Sequence, residues 1–84
     1  MKVIALTASW CKKCEEAKIE LQPYFEDIKW LDVEVNKEGV DLAKRLNVRY
    51  VPLFIAGDEN TLHLFSMTNS YLMVKRLFET YKDK

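Results

Sequence analysis

Two thiols stand three positions apart in Trp10-Cys11-Lys12-Lys13-Cys14, where a short apolar stretch gives way to a charged run. Residues three apart share one face of a helix, so the sulfurs come within disulfide reach if Cys11 opens that helix. There the unpaired backbone N–H groups and the positive end of the helix dipole favour a thiolate over a thiol. Lys12 and Lys13 add positive charge beside it. The thiolate is the attacking species in disulfide exchange. Reversible cycling between dithiol and disulfide is the chemistry this spacing favours.

Other readings of the pair stay open at the level of the residues. A structural zinc site takes four ligands, whereas the chain has two Cys and one His, His63. Such a site would need a carboxylate or a second chain. A permanent structural disulfide is another reading, although a loop with two intervening residues restrains the unfolded chain little. A pair without chemistry is the third. His63 alternates with Leu62 and Leu64 and reads as a solvent-facing strand residue, not a catalytic one.

The elements that must position the thiols can be traced in order. Lys2 to Leu6 is apolar and partly β-branched, as in a strand buried on both faces. From Cys11, apolar positions recur at Cys14, Ala17, Leu21, Phe25 and Ile28, which predicts one amphipathic helix bent at Pro23. Trp30 to Val35 alternates with period two and reads as a strand with Leu31, Val33 and Val35 inward. Asn36 suits a helix cap before Val40, Leu42, Ala43 and Leu46, and Asn47 suits a left-handed terminator. Leu53 to Ala56 and Thr61 to Phe65 make a hairpin around Gly57-Asp58-Glu59-Asn60. Thr68 or Ser70 can cap a last helix carrying Leu72, Met73, Leu77, Phe78 and Tyr81 inward.

That order is β-α-β-α-β-β-α: an α/β fold with a four-stranded mixed sheet and three helices spread over both faces. The opening βαβ unit should be parallel with a right-handed crossover. The cysteines then follow the carboxyl end of the first strand, where open α/β sheets place their sites.

Composition bounds the function. Residues 1–84 suffice for one domain with one core, and 49% hydrophobic with 31% charged is a globular balance. Lys+Arg and Asp+Glu are equal at 13 each, so no global charge calls for nucleic acid or an anionic membrane. Up to Cys14 the charged side chains are Lys2, Lys12 and Lys13, all positive. The opening apolar run is too short for a secretion signal core, and no stretch is long enough to span a bilayer. The expectation is a cytoplasmic monomer whose dithiol a reducing pool recharges.

With Trp10-Cys11-Lys12-Lys13-Cys14 after the first strand, and Val48-Arg49-Tyr50-Val51-Pro52-Leu53-Phe54 before the hairpin, the chain resembles the thioredoxin/glutaredoxin family over nearly its whole length. The resemblance implies a thioredoxin-like fold and a thiol–disulfide oxidoreductase that reduces protein disulfides and needs no bound cofactor. It implies that Cys11 is the exposed nucleophile and Cys14, one turn into the helix, the resolving thiol. Pro52 would be cis, with Val51 offering its backbone to an extended substrate. Trp10, Lys12, Lys13 and Tyr50 would contact that substrate. Electrons would come from a thioredoxin reductase or from glutathione. A non-catalytic binding module of the same fold is the rival from another class.

The chain also departs from that family. Thioredoxins usually bury an Asp in the first strand beneath the resolving cysteine, but Ile4-Ala5-Leu6 is apolar here. Lys-Lys separates the cysteines where thioredoxins have Gly-Pro. Glutaredoxins hold glutathione at a Gly-Gly turn followed by an acid, whereas Phe65-Ser66-Met67-Thr68-Asn69-Ser70 has no glycine. Met67 would crowd that groove or line it with soft apolar surface. A protein substrate is therefore expected over glutathione.

Overall fold

The computed structural model describes residues 2–57 and 64–82. Four strands, β1 (Lys2–Thr7), β2 (Ile28–Asp32), β3 (Leu53–Gly57) and β4 (Leu64–Thr68), form one sheet in the order β2-β1-β3-β4. β1 runs parallel to β2 and antiparallel to β3, and β3 runs antiparallel to β4. The helices are α1 (Lys12–Glu20), α2 (Lys37–Arg45) and α3 (Tyr71–Lys82).

Alternation along β1 sorts the core onto two faces. Val3 and Ala5 join Ala17 and Leu21 from the α1 region, Ile28, Phe54, Ala56 and Val74 of α3. Leu6 turns the other way and joins Leu31 and Ile55, with Leu42, Leu46 and Val48 from α2 and the chain beyond it packed on top. Helices thus cover both faces, as the order of elements predicts, and β1 is central because both its faces are apolar. Each large side chain buried this way contributes about 1.5–3 kcal/mol.

Four expectations are corrected. The helix that begins after Cys11 does not bend through Pro23 to Ile28: α1 stops at Glu20, and Gln22–Asp27 forms a separate 3₁₀ segment with Pro23 in its first turn. Proline has no N–H to donate and its ring collides with the carbonyl four residues back, so the helix breaks, and Ile28 opens β2. The second strand ends at Asp32, and Val35 is exposed instead of inward. The Asp32 carboxylate accepts the N–H groups of Glu34 (2.7 Å) and Val35 (3.2 Å), a local turn that outcompetes the strand ladder.

The fourth strand continues past Phe65 to Thr68, described over Leu64–Thr68, so most of the segment read as a junction is itself a strand; Thr61 to His63 lie outside the described residues. A register shift at Ala56/Gly57 accompanies it. The expected solvent-facing placement of His63 lies outside the described residues. The last helix buries a different stripe: Val74 is sealed, with Tyr71, Leu77 and Phe78 packed on the core, while Leu72 and Met73 are exposed. Val74 follows Tyr71 by three positions and precedes Phe78 by four, and this phase excludes 72 and 73. Tyr81 belongs to α3, and its side chain is outside the described set.

The helix ends follow expectation. Asn36 caps α2 by accepting the Gly39 N–H at 2.9 Å. Asn47 follows α2 with φ 53°, the left-handed region that Asn tolerates better than most residues.

Candidate functional site

The cysteines sit at the end of the sheet where β1 and β2 finish, β3 begins and β4 finishes. After Thr7 the chain turns, and the Cys11 N–H donates to the Ala8 carbonyl at 3.1 Å. Cys11 is the N-cap of α1, with an extended backbone, and its sulfur accepts the Cys14 N–H at 3.1 Å. One of the orphan donors of the helix start is thus satisfied by this sulfur. Cys14 is one turn in, and the two residues are joined as a disulfide with Cα atoms 5.2 Å apart, inside the usual range for such a bridge.

The pair is walled by Ala8, with Val33 from the β2 end and Val51 from the segment before β3 packed against it. The Val51–Pro52 peptide is cis. The Val51 carbonyl oxygen lies 3.6 Å from the Cys11 sulfur. Since β1 and β3 pair only from Leu6 and Leu53 inward, Val51 and Pro52 stand beyond the sheet ladder. Asn69, just after β4, fixes them: its side-chain amide donates to the Pro52 carbonyl at 2.8 Å.

The other residues singled out for substrate contact are placed as follows. Trp10 and Tyr50 project into solvent, 69% and 76% exposed. Lys12 and Lys13 are exposed on the first turn of α1. Met67 lines a shallow depression with Leu46, Tyr50, Leu53 and Asn69; it pairs with Ile55 and so shares the α2 side of the sheet. It flanks the Pro52 segment instead of crowding the disulfide.

One expectation about the nucleophile is revised. In the disulfide form Cys11 is not exposed: it keeps 5% of its surface against 1% for Cys14. Cys11 packs with Ala8 and against Val51. It is the more accessible of the two cysteines by a narrow margin. Among the described residues no carboxylate is buried, and Ala5 and Leu6 of β1 are sealed and apolar. Among the described residues no buried acid accompanies Cys14.

Two contributors carry no signal in the sequence. Asn69 acts on a carbonyl 17 positions away, a distance over which no periodicity operates. Val33 reads as an ordinary strand residue and becomes a wall of the site only because β2 ends beside the cysteines.

No family model and no curated protein sequence matches the chain. Among solved structures it is similar to thioredoxin 1 from the thermophilic eubacterium Thermosipho africanus, 23% identical, with 99% of this chain and 96% of that one covered and a TM-score of 0.68. It is also similar to the oxidised form of mitochondrial thioredoxin 3 from Saccharomyces cerevisiae, 22% identical over 93% of this chain and 76% of that one, TM-score 0.64. For thioredoxin F from spinach chloroplast the identity is 27%, the coverage 89% and 63%, and the TM-score 0.62. The chain has the thioredoxin fold.

Proposed function

We propose that this chain of thioredoxin fold is a thiol–disulfide oxidoreductase that reduces protein disulfides through Cys11 and Cys14. The observation that carries the reading is the disulfide laid across a helix N-cap and first turn, with the Val51 carbonyl oxygen beside it. A permanent bridge gains little from so short a loop, whereas a helix start lowers the barrier to forming a thiolate there.

In the reduced protein the Cys11 thiolate attacks one sulfur of the substrate disulfide. A mixed disulfide forms and the first substrate thiolate leaves. Cys14, having lost its proton to water, attacks the Cys11 sulfur; the intramolecular bridge forms and the second substrate thiolate leaves. Two electrons pass to the substrate, and a donor returns them by reducing the Cys11–Cys14 bridge. The exposed Trp10 and Tyr50 supply apolar surface for the substrate chain, Lys12 and Lys13 positive charge, and Val51 backbone groups.

A thioredoxin-reductase-type flavoprotein or a thiol such as glutathione is the electron source, and a reducing compartment such as the cytoplasm suits the cycle. Among the described residues no helix is long and apolar enough to cross a membrane. Insulin reduction tests the reading, driven by NADPH with thioredoxin reductase in one arm and by glutathione with its reductase in the other. Turnover in the first arm is expected. Turnover only in the second identifies a glutaredoxin-type donor. Absence of turnover in both, and with dithiothreitol as reductant, overturns the reading in favour of a binding module.

A further inference from the structure

We infer that Asn69 is a positioning residue for the thiol chemistry: by holding the Pro52 carbonyl it keeps the Val51 carbonyl oxygen against the Cys11 sulfur and raises the pH at which that sulfur ionises. The inference rests on the thiol–disulfide reading and adds a control on it.

The geometry contains two opposed influences on one atom. The Cys14 N–H, 3.1 Å from the Cys11 sulfur, stabilises negative charge there. The Val51 carbonyl oxygen, 3.6 Å away, does the reverse. It can accept the S–H of a Cys11 thiol, but it turns the negative end of its dipole toward a thiolate. A bond made to the neutral form disfavours the charged one.

The helix holds the first influence in place. The second has no such support, because the Val51–Pro52 segment lies past the end of the β1–β3 ladder. The 2.8 Å bond from Asn69 to the Pro52 carbonyl ties that segment to the turn between β4 and α3. The Ser70 N–H in turn donates to the Thr68 hydroxyl at 3.1 Å, which shapes the turn that carries Asn69.

Apart from Arg49 and Tyr50, the other charges of this region lie on elements to which Asn69 makes no hydrogen bond. Lys12, Lys13 and Glu15 occupy the first turn of α1, Asp32 and Glu34 flank Val33 on the β2 side, and Arg49 and Tyr50 precede Val51. None lies in the apolar cluster of Ala8, Cys11 and Cys14 with Val33 and Val51. The carbonyl is the polar group in that wall that Asn69 governs.

The test is the pH dependence of Cys11 alkylation by iodoacetamide in the fully reduced protein, with the labelled cysteine located by mass spectrometry. Asn69→Ala removes the amide; Asn69→Leu removes it and keeps the bulk. In both, the midpoint should fall by about half a pH unit, which makes alkylation below the midpoint roughly threefold faster. An unchanged midpoint in both overturns the inference, with or without a lower melting temperature. A shift in Asn69→Ala alone also overturns it, because bulk and not the donor would then be responsible. Failure of the parent protein to reduce insulin, together with failure of Cys14→Ser to trap a substrate, would instead sink the underlying reading.

Discussion

At the cysteines, the two side chains differ less in burial than in what surrounds them. The Cys11 sulfur receives a backbone N–H at the helix start, whereas Cys14 sits inside the first turn with 1% of its surface accessible. On the proposed reading the labour divides along this asymmetry. Cys14→Ser leaves the attacking sulfur and removes the one that releases the product, so mixed disulfides with insulin chains should accumulate through Cys11 on non-reducing gels. Cys11→Ser should form none and retain no turnover. Trapping through Cys14 in the Cys11→Ser protein would reverse the assignment. Among the described residues no carboxylate is buried, and on the proposed reading Cys14 gives its proton to water.

Among the elements, α2 is held closest to the sheet at Gly39. A Cβ built there would lie 2.6 Å from the Asp32 carbonyl oxygen and 3.2 Å from the Leu31 Cβ. Backbone cannot yield as a flexible side chain does, so Gly39→Ala must push α2 away from β2. The expected cost is about 1–3 kcal/mol, read as a lower urea midpoint. A midpoint equal to the parent's would show that α2 shifts freely. α1 and α3 meet through another contact, the Tyr71 hydroxyl donating to the Glu16 carboxylate at 3.1 Å. That bond raises the Tyr71 pKa above 10.0, with burial and the charges of Glu16 and Glu20 adding to it. A raised folded-state value means that the native protein holds this proton more tightly than the unfolded chain. The contribution is fully present below the unfolded value and is lost as pH climbs through the folded one. Phenolate absorbance should therefore show Tyr71, identified by difference against Tyr71→Phe, ionising above 10.0. Glu16→Gln should bring it back toward 10.0; an unmoved titration would remove Glu16 as the cause.

Across the whole molecule, the order of elements and the place of the cysteines were legible because both rest on local signals: alternation in strands, threefold and fourfold spacing in helices, and a cap at Asn36. What was illegible depended on competition or distance. The apolar stripe through Phe25 and Ile28 looked helical, and Pro23 broke it. Asp32 turned the chain away from a strand pattern that continued on paper to Val35. The phase of α3 was set by which side met Phe54 and Ala17, which no window within that helix contains. Asn69 was invisible for the same reason, since its partner belongs to another element.

Those long-range contacts converge on the aromatic side of the core. Phe54 is 1% exposed and meets Trp30 edge-on at 6.3 Å between centroids; Trp30 in turn stacks on Phe25 at 5.2 Å. Phe54 also follows Pro52 by two residues, so the strand that carries this core residue begins at the site. Replacing a sealed Phe by Ala costs about 3–5 kcal/mol, against a total of about 5–15 kcal/mol for a typical domain. Phe54→Ala should thus be partly unfolded at moderate temperature. Because the site is assembled from the ends of all four strands, it has no means of persisting alone. Loss of insulin reduction and loss of helical circular dichroism should therefore coincide along a urea series in this variant. Activity vanishing at a urea concentration where the dichroism is still intact would show that the Val51–Pro52 segment opens independently of the core.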